Sequence, residues 1–500
     1  MNDAIAAPDH GTRAHIEALL HEIETLIADV EREGGAQAKT WAAAIVRPDF
    51  AKSALNLAHY LALRRRDLRQ LQRGLMPLGL SSLGRLESRV IPTLEAVRTA
   101  LLALLGRPPE FARPNPAFLA GERRLAKRAR GLFGEAGADR TALLVTCPTE
   151  AADDPQFMMG LVNRGVEVVR INCAHDGPEQ WLSMIAHLRA AEGATGRSLK
   201  LFMDLGGPKI RTGGVRAPGD GARLRNGDLF AVAKPGALPA VPPTVPFAVE
   251  CTLAEALMDA QIGDRLFVDD GKLGAVIERR APWGVIAHVV AVAERGLRLK
   301  PEKGLNFPDR HIQIAALTEK DRSDLAFVAG HADAVEFSFV QSADDVRMLQ
   351  DALAALRPDD WRSMAVVLKI ETAEAVANLP DILVQAAGRQ PTAIMIARGD
   401  LAVEIGFART AEMQEEILWL AEASDTPVIW ATQVLEHLVT KGTPSRGEMT
   451  DAAMAARSEC VMLNKGPYLF EAIDQLQPLL HRMSANQHKK APQLRRLRSW

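Results

Sequence analysis

Charged and hydroxyl-bearing residues stand at the ends of a series of short apolar runs. After VEVV come Arg170, Asn172 and His175; after LKLFM comes Asp204, then Gly206-Gly207-Pro208-Lys209-Ile210-Arg211. Ser338 lies within VEFSFV. MAVVL ends in Lys369 and Glu371, AIMI in Ala397-Arg398-Gly399-Asp400, and PVIWA in Thr432-Gln433. Any one of these is explicable as a satisfied structural polar group. Six run-ends that together supply Arg, Lys, Glu and Asp are hard to explain as packing. The set suits phosphoryl transfer or enolate stabilisation. Glu371 and Asp400 are hard oxygen donors, suited to a Mg²⁺ that keeps several waters and substrate oxygens. Lys369 and Arg170 bring positive charge to where a transferred phosphoryl group spreads its negative charge. Gly399 permits a tight turn, and the helix start that follows offers backbone N–H groups to a carboxylate. Neither a Walker A motif nor a kinase-type glycine loop is present, which argues against those nucleotide-binding routes.

The elements that must position these residues are eight apolar, β-rich runs alternating with helical patterns from Thr141 onward: TALLVT, VEVVRI, LKLFMDL, ADAVEFSFV, MAVVLKI, AIMIAR, PVIWAT and ECVMLN. Eight such units are the number that closes an α/β TIM barrel, in which the strand ends converge on one mouth. After the third run the alternation breaks. Residues 212–308 carry turn-rich alternating sequence, the pattern of a small antiparallel β-domain, a β-barrel lid inserted at the active-site end. The expected division is 1–138 helical extension, 139–211 and 309–484 barrel, 212–308 lid, and 485–500 a frayed basic tail. In the first block Ile16, Leu19, Leu20, Ile23, Leu26 and Ile27 fall at helical spacing. Pro92 is expected to kink or restart a later helix, and Gly106-Arg107-Pro108-Pro109 to end it. The basic clusters Arg64-Arg65-Arg66 and Arg123-Arg124 through Lys127-Arg128-Arg130 are expected to be solvated faces paired with acidic neighbours, an anion site being the alternative.

The chain as a whole has 500 residues, 47% of them hydrophobic and 24% charged. About three domains, or one large barrel with additions, fit that length. So much apolar sequence excludes a disordered or fibrous protein. Lys and Arg number 60 against 62 Asp and Glu, so no global field steers the chain to nucleic acid. Cys147, Cys173, Cys251 and Cys460 are scattered without zinc-site spacing, as expected of buried or free thiols in a reducing compartment. No signal core or membrane-length apolar run is evident, and a cytoplasmic protein without membrane contact is expected.

From about Thr141 to Met483 the chain resembles the pyruvate kinase family. The resemblance rests on VVRINCAHD, MDLGGPKIRTG, LFVDDG, EKGLNFPDR, LTEKDRSDL, VEFSFVQSADDV, VVLKIET, MIARGDLAVEIG and VIWATQVLEHL, long stretches in family order. It implies phosphoryl transfer from phosphoenolpyruvate to ADP, giving pyruvate and ATP in glycolysis, with Mg²⁺ (or Mn²⁺) as cofactor. By resemblance, Lys369 stabilises the phosphoryl group in transfer, and Glu371 and Asp400 are the metal carboxylates. Ala397, Arg398 and Gly399 lie on the backbone that holds the substrate carboxylate. Arg170 and Ser338 match phosphate contacts, and Thr432 matches the threonine linked to protonation of the enolpyruvate. Asn172, His175 and Arg211 match the nucleotide side, while Asp270 and Lys303 fall on lid positions over the nucleotide phosphates. A homo-oligomer, a dimer rather than the family tetramer, is expected.

The departures from the family pattern are informative. Where K⁺-dependent members have a Ser ligand, a Thr carbonyl and a glutamate in GPEIRTG, this chain has Ala174, Leu205 and Lys209. The resemblance is therefore to the K⁺-independent branch, with the Lys209 ammonium, fixed by Asp204, standing in for the monovalent cation. The family's Ser-Gly-Glu-Thr after the eighth run appears as Asn464-Lys465-Gly466-Pro467, near the proton-delivery network. Its Thr-Ile-Gly-Pro appears as Thr146-Cys147-Pro148-Thr149. The C-terminal regulatory domain is expected to be missing. Two other readings stay open: a Mg²⁺-dependent oxo-acid lyase or aldolase of related barrel type, and a non-catalytic regulatory protein.

Overall fold

The computed structural model describes residues 10–107, 118–134, 140–310, 312, 315–489 and 491–492. Eight parallel strands close into a barrel in sequential order: Ala142–Thr146, Val168–Asn172, Lys200–Asp204, Ala334–Phe337, Ala365–Ile370, Thr392–Ala397, Val428–Ala431 and Cys460–Leu463. Six fall within the apolar runs, and the other two, Val168–Asn172 and Thr392–Ala397, overrun VEVVRI and AIMIAR by one residue each. The pleat explains why these runs are apolar almost throughout, because successive side chains point to opposite faces and both faces are covered. Leu143, Val145, Val169, Ile171, Val366, Leu368, Val461 and Leu463 join the core shared with the surrounding helices. The other parity fills the barrel. Ala142, Leu144, Val168, Phe202, Ala334, Val367, Ala393, Ile429 and Cys460 pack together near its lower end.

Followed upward on that same inward parity, the strands change character. Above the apolar layer come Thr146, Arg170, Asp204, Glu336, Ser338, Lys369 and Glu371, all buried. A barrel interior is a packed core whose upper layer opens at the C-terminal strand ends. The polar residues therefore collect at one mouth.

Between the third and fourth barrel strands lies a seven-stranded sheet around its own core, which includes Phe230, Val249, Leu266, Ile277 and Val289. It is not wholly antiparallel, as expected from sequence: Leu229–Ala233 pairs in parallel with Phe247–Cys251. The connection between those two strands crosses over through the turn Leu238–Ala240 instead of closing a hairpin. An isolated antiparallel bridge between Arg211 and Gly304 joins the regions beside the two edge strands, curling the sheet toward a barrel.

The first helices, His10–Trp41, Pro48–Arg64, Arg69–Leu75 and Val90–Leu104, share the main hydrophobic core with the outside of the barrel. The six apolar residues spaced along the first helix are all buried. Pro92 is the third residue of its helix, where a missing N–H costs no intrahelical bond. It thus marks a restart. Gly106, with φ +69, lies just past this helix's end; Pro108 and Pro109 lie outside the described residues. The fifth helix, Ala120–Phe133, ends with Leu132 and Phe133 inserted into the lower barrel core, the Phe133 ring 6.2 Å from that of Phe202.

The basic clusters prove to be partly docking contacts. Arg66 pairs with Glu33 at 2.6 Å, and Arg64 lies over the Trp419 ring at 4.8 Å. Arg124 bonds Asp425 at 2.7 Å, and Arg128 donates to the Asp425 carbonyl at 2.9 Å. Asp425 also accepts from Ser53 at 2.6 Å, so one buried carboxylate ties two N-terminal helices to the barrel. The start of the tail is likewise more ordered than expected. Gln487–His488 pairs with Ala491–Pro492, and Lys489 is buried against Glu459; residues 490 and 493–500 lie outside the described residues. All four cysteines are free and buried. Among the described residues no helix is long and apolar enough to cross a membrane.

Candidate active site

Strand register brings the inward polar residues together. Arg170 sits opposite Thr146 on one neighbour, while Asp204 lies opposite both Asn172 and Glu336. The Arg170 guanidinium donates through Nε to Glu336 at 2.7 Å, through Nη1 to Thr146 Oγ1 at 2.9 Å, and through Nη2 to Asp204. Lys369 Nζ meets Asp204 at 3.1 Å, Ser338 Oγ at 2.6 Å and Glu371 at 3.2 Å. The Ser338 hydroxyl is within reach of the Leu205 carbonyl at 2.7 Å and of Asp204 at 3.1 Å. Glu371 accepts from the Phe339 N–H at 2.6 Å. Five charged groups are thus locked in one buried network, as buried charges must be to offset their loss of water.

The electrostatics follow from that packing. Burial would depress the Lys369 ammonium, but Asp204 and Glu371 outweigh it and hold its pKa above the ordinary lysine value. Asp204 shows the mirror image: burial pushes it up, and Arg170 and Lys369 pull it below the usual carboxylate range. Glu371 is raised by burial against the pull of Lys369, with Asp400 adding to the rise. Glu336 is pushed up to about 7, chiefly by burial, with Arg170 opposing and Asp204 adding. Its Oε1 atom is buried with no hydrogen-bond partner.

Glu336 was not among the residues singled out from sequence. The available signal was its period-2 relation to Ser338, which puts both on the inward face. Because its folded pKa lies above the ordinary 4.5, the folded chain holds this proton more tightly than the unfolded chain. The stability it contributes is full below pH about 4.5 and is lost as pH rises through about 7. Glu336→Gln is expected to remove that decline, so that the melting-temperature difference from wild type grows in the mutant's favour between those limits. A constant difference across the range would contradict the assignment.

Around the sixth and seventh strand ends a second group forms. Asp400 belongs to the helix Arg398–Ile405, which follows its strand directly. Thr432 has φ +60, a strained conformation for a β-branched residue. It places Oγ1 2.7 Å from the Gly399 N–H, from which it accepts. Arg398 secures this turn by donating to the Ala431 carbonyl at 3.0 Å and the Thr432 carbonyl at 2.6 Å. Strain of this kind, over-determined by its surroundings, is found where a side chain must be held for function. The Gly399 N–H, expected to face a substrate carboxylate, is engaged by Thr432 here.

Lys209 corrects one expectation. Its ammonium is not fixed by Asp204, which Arg170, Lys369 and Ser338 already occupy. Past the turn at Gly207 (φ +67), Lys209 instead meets Asp400 at 2.7 Å and Asp270 of the inserted sheet at 3.4 Å. It therefore bridges the barrel and the inserted domain. Burial alone would depress this lysine, but Asp400 and Asp270 hold it above its ordinary value.

The remaining candidates flank this centre. Asn172 accepts from the Ala174 N–H at 2.9 Å, and Arg211 donates to the Glu302 carbonyl at 3.2 Å. Lys303 lies 3.5 Å from Asp269. Partial burial, then Lys465 and Arg211, lower the His175 pKa. Lys465, noted from sequence only as a departure, thus belongs to the same cationic neighbourhood as His175 and Arg211.

Glu371 and Asp400 are the carboxylates a divalent cation would use, and among the described residues no cluster of three or more His, Cys, Asp or Glu forms a closed metal site. That donor set fits Mg²⁺, whose other ligands commonly come from water and substrate.

Comparison with known proteins agrees with this geometry. A family profile described as pyruvate kinase, barrel domain, matches residues 138–473. A pyruvate kinase of Mycobacterium intracellulare is 31% identical over 323 residues, 63% of this chain and 63% of the relative. One from Geobacillus stearothermophilus is 30% identical over 359 residues, 69% of this chain and 58% of the relative. One from Methylorubrum extorquens is 32% identical over 341 residues, 67% of this chain and 66% of the relative. The chain spans about six tenths of the length of these relatives. With the profile covering both halves of the barrel and the sheet between them, the chain belongs to the pyruvate kinase family.

Proposed function

We propose that the chain transfers the phosphoryl group of phosphoenolpyruvate to ADP, giving pyruvate and ATP. The observation that carries this reading is the buried network of Arg170, Lys369, Asp204, Ser338 and Glu371 at the strand ends, under a second domain joined to it through Lys209. Three Arg170 donor groups are engaged within the protein, and its remaining N–H groups are available to a phosphate. Lys369, held charged by its carboxylate neighbours, neutralises the transferring group, exchanging the neutral Ser338 hydroxyl for a phosphate oxygen. Glu371 and Asp400 would hold Mg²⁺ (or Mn²⁺), which when bound would supply Lewis-acid positive charge to the reacting phosphoryl group. His175, Arg211 and Lys465 receive the nucleotide phosphates, with Asp270 and Lys303 on the lid side. Thr432 orients the proton donor to the enolpyruvate carbon, and the turn at Ala397–Gly399 receives the substrate carboxylate.

In this reading residues 139–211 and 309–484 form the catalytic barrel, 212–308 the lid, 1–138 a docked extension and 485–500 a tail. A cytoplasmic homodimer is proposed, the buried free thiols fitting a reducing compartment. A lyase or aldolase would make no use of the Lys209 bridge to Asp270, and a purely regulatory protein no use of a buried Lys369.

Lys209 also supports K⁺ independence, because its ammonium supplies a monovalent charge beside Asp400. Pyruvate formation from phosphoenolpyruvate and ADP with Mg²⁺, measured with and without K⁺, tests both statements. Equal turnover in the two buffers is expected. Turnover only with K⁺ would remove the role given to Lys209, and none in either would overturn the kinase reading.

A further inference from the structure

The basic stretch Arg123 to Arg130 plays no part in the proposed phosphotransfer, yet part of it lines a cavity at the opposite end of the barrel. The cavity, about 420 Å³, lies between the helices Pro48–Arg64 and Ala120–Phe133 and the feet of the sixth and seventh barrel strands, at Thr392 and Thr426. Arg47, Arg124, Lys127 and Arg128 line it together with Asp49. Arg47 spends one nitrogen on the carbonyls of Ala387 and Gln390 and another on Asp49 at 3.0 Å. Arg128 donates to the carbonyls of Ser424, Asp425 and Asp49 and lies over the Phe50 ring at 5.3 Å. Carbonyl oxygens satisfy hydrogen bonds without neutralising charge. Among the described residues, the ion pairs of these four cations therefore run to Asp49 and Asp425. Lys127 is exposed and ion-pairs with none of the described residues. The Arg128 pKa is lowered mainly by burial, with Arg47 and Arg124 adding to that against the pull of Asp425 and Asp49.

We infer that this cavity binds a small organic phosphate monoester. A phosphomonoester carries about −1.5 to −2 at neutral pH, which matches an excess of four cations over two carboxylates; a single carboxylate would leave half of that excess uncompensated. Phe50, Leu132 and Pro391 supply an apolar wall for the body of the molecule. The volume lies within the range of about 300–1,000 Å³ usual for small-molecule sites. Arg47 and Arg128 are held in place before any ligand arrives, so little side-chain freedom remains to be lost. The site does not depend on the phosphotransfer reading, since it sits at the other end of the strands.

Isothermal titration of the full chain with glucose 6-phosphate, ribose 5-phosphate, AMP and inorganic phosphate tests it, alongside Lys127→Glu. That variant changes an exposed residue and is expected to melt as wild type does. At least one ester should bind one-to-one and roughly tenfold tighter than inorganic phosphate. Lys127→Glu should weaken that ester roughly tenfold. If no ester binds more tightly than inorganic phosphate, or if the variant binds it as well as wild type, the inference is overturned.

Discussion

Lys369→Met is expected to lower kcat for pyruvate formation by about 100-fold or more, the effect of removing one preorganised donor from a buried centre, about 3 kcal/mol. The lysine touches Asp204, Ser338 and Glu371 within 3.2 Å and is the only ammonium in the Arg170 network among the described residues. Its charge is needed most as the phosphoryl group passes between oxygens, so the loss should fall on kcat more than on KM. Steady-state kinetics of the variant decides this. A variant that turns over at the wild-type rate would remove Lys369 from the chemistry and with it the mechanism proposed for the site.

The second large effect is on stability. Arg170→Met should destabilise the protein by about 3–5 kcal/mol, because it leaves Asp204 and Glu336 buried without their shared partner. Urea denaturation at neutral pH measures it. Adding Glu336→Gln to that variant should recover part of the loss, since a neutral amide replaces the carboxylate that Arg170 no longer balances. A loss under about 1 kcal/mol in the single variant would mean that the two carboxylates do not depend on this arginine.

The barrel was legible from sequence because its strands obey a simple rule. Inward and outward residues alternate, both faces are apolar, and polar residues enter only near the C-terminal ends. Arg170, Asp204, Lys369 and Glu371 could therefore be read as one mouth from their places in separate runs. Glu336 escaped notice because a single acid inside VEFSFV reads as part of a strand until its inward direction is considered. The partner of Lys209 was not legible either. It depends on where a turn with positive φ at Gly207 aims the chain, and on Asp270 and Asp400, which only the tertiary fold brings near. The parallel strand pair in the inserted sheet was hidden for a related reason, since alternation reports a strand but not the direction of its neighbour. Basic residues such as Arg124 and Arg128 looked like solvated helix faces, because their partners at Ser424 and Asp425 lie some 300 residues away in sequence.

The central claim is that the phosphoryl group moves from phosphoenolpyruvate to ADP at this barrel mouth. Phosphorus NMR of a reaction containing both substrates and Mg²⁺ tests it directly, with Lys369→Met run beside the wild type. The expected result is loss of the phosphoenolpyruvate signal with equal growth of the ATP γ-phosphate signal, slowed about 100-fold or more in the variant. Inorganic phosphate appearing in place of ATP, or transfer at the same rate in both proteins, would contradict it.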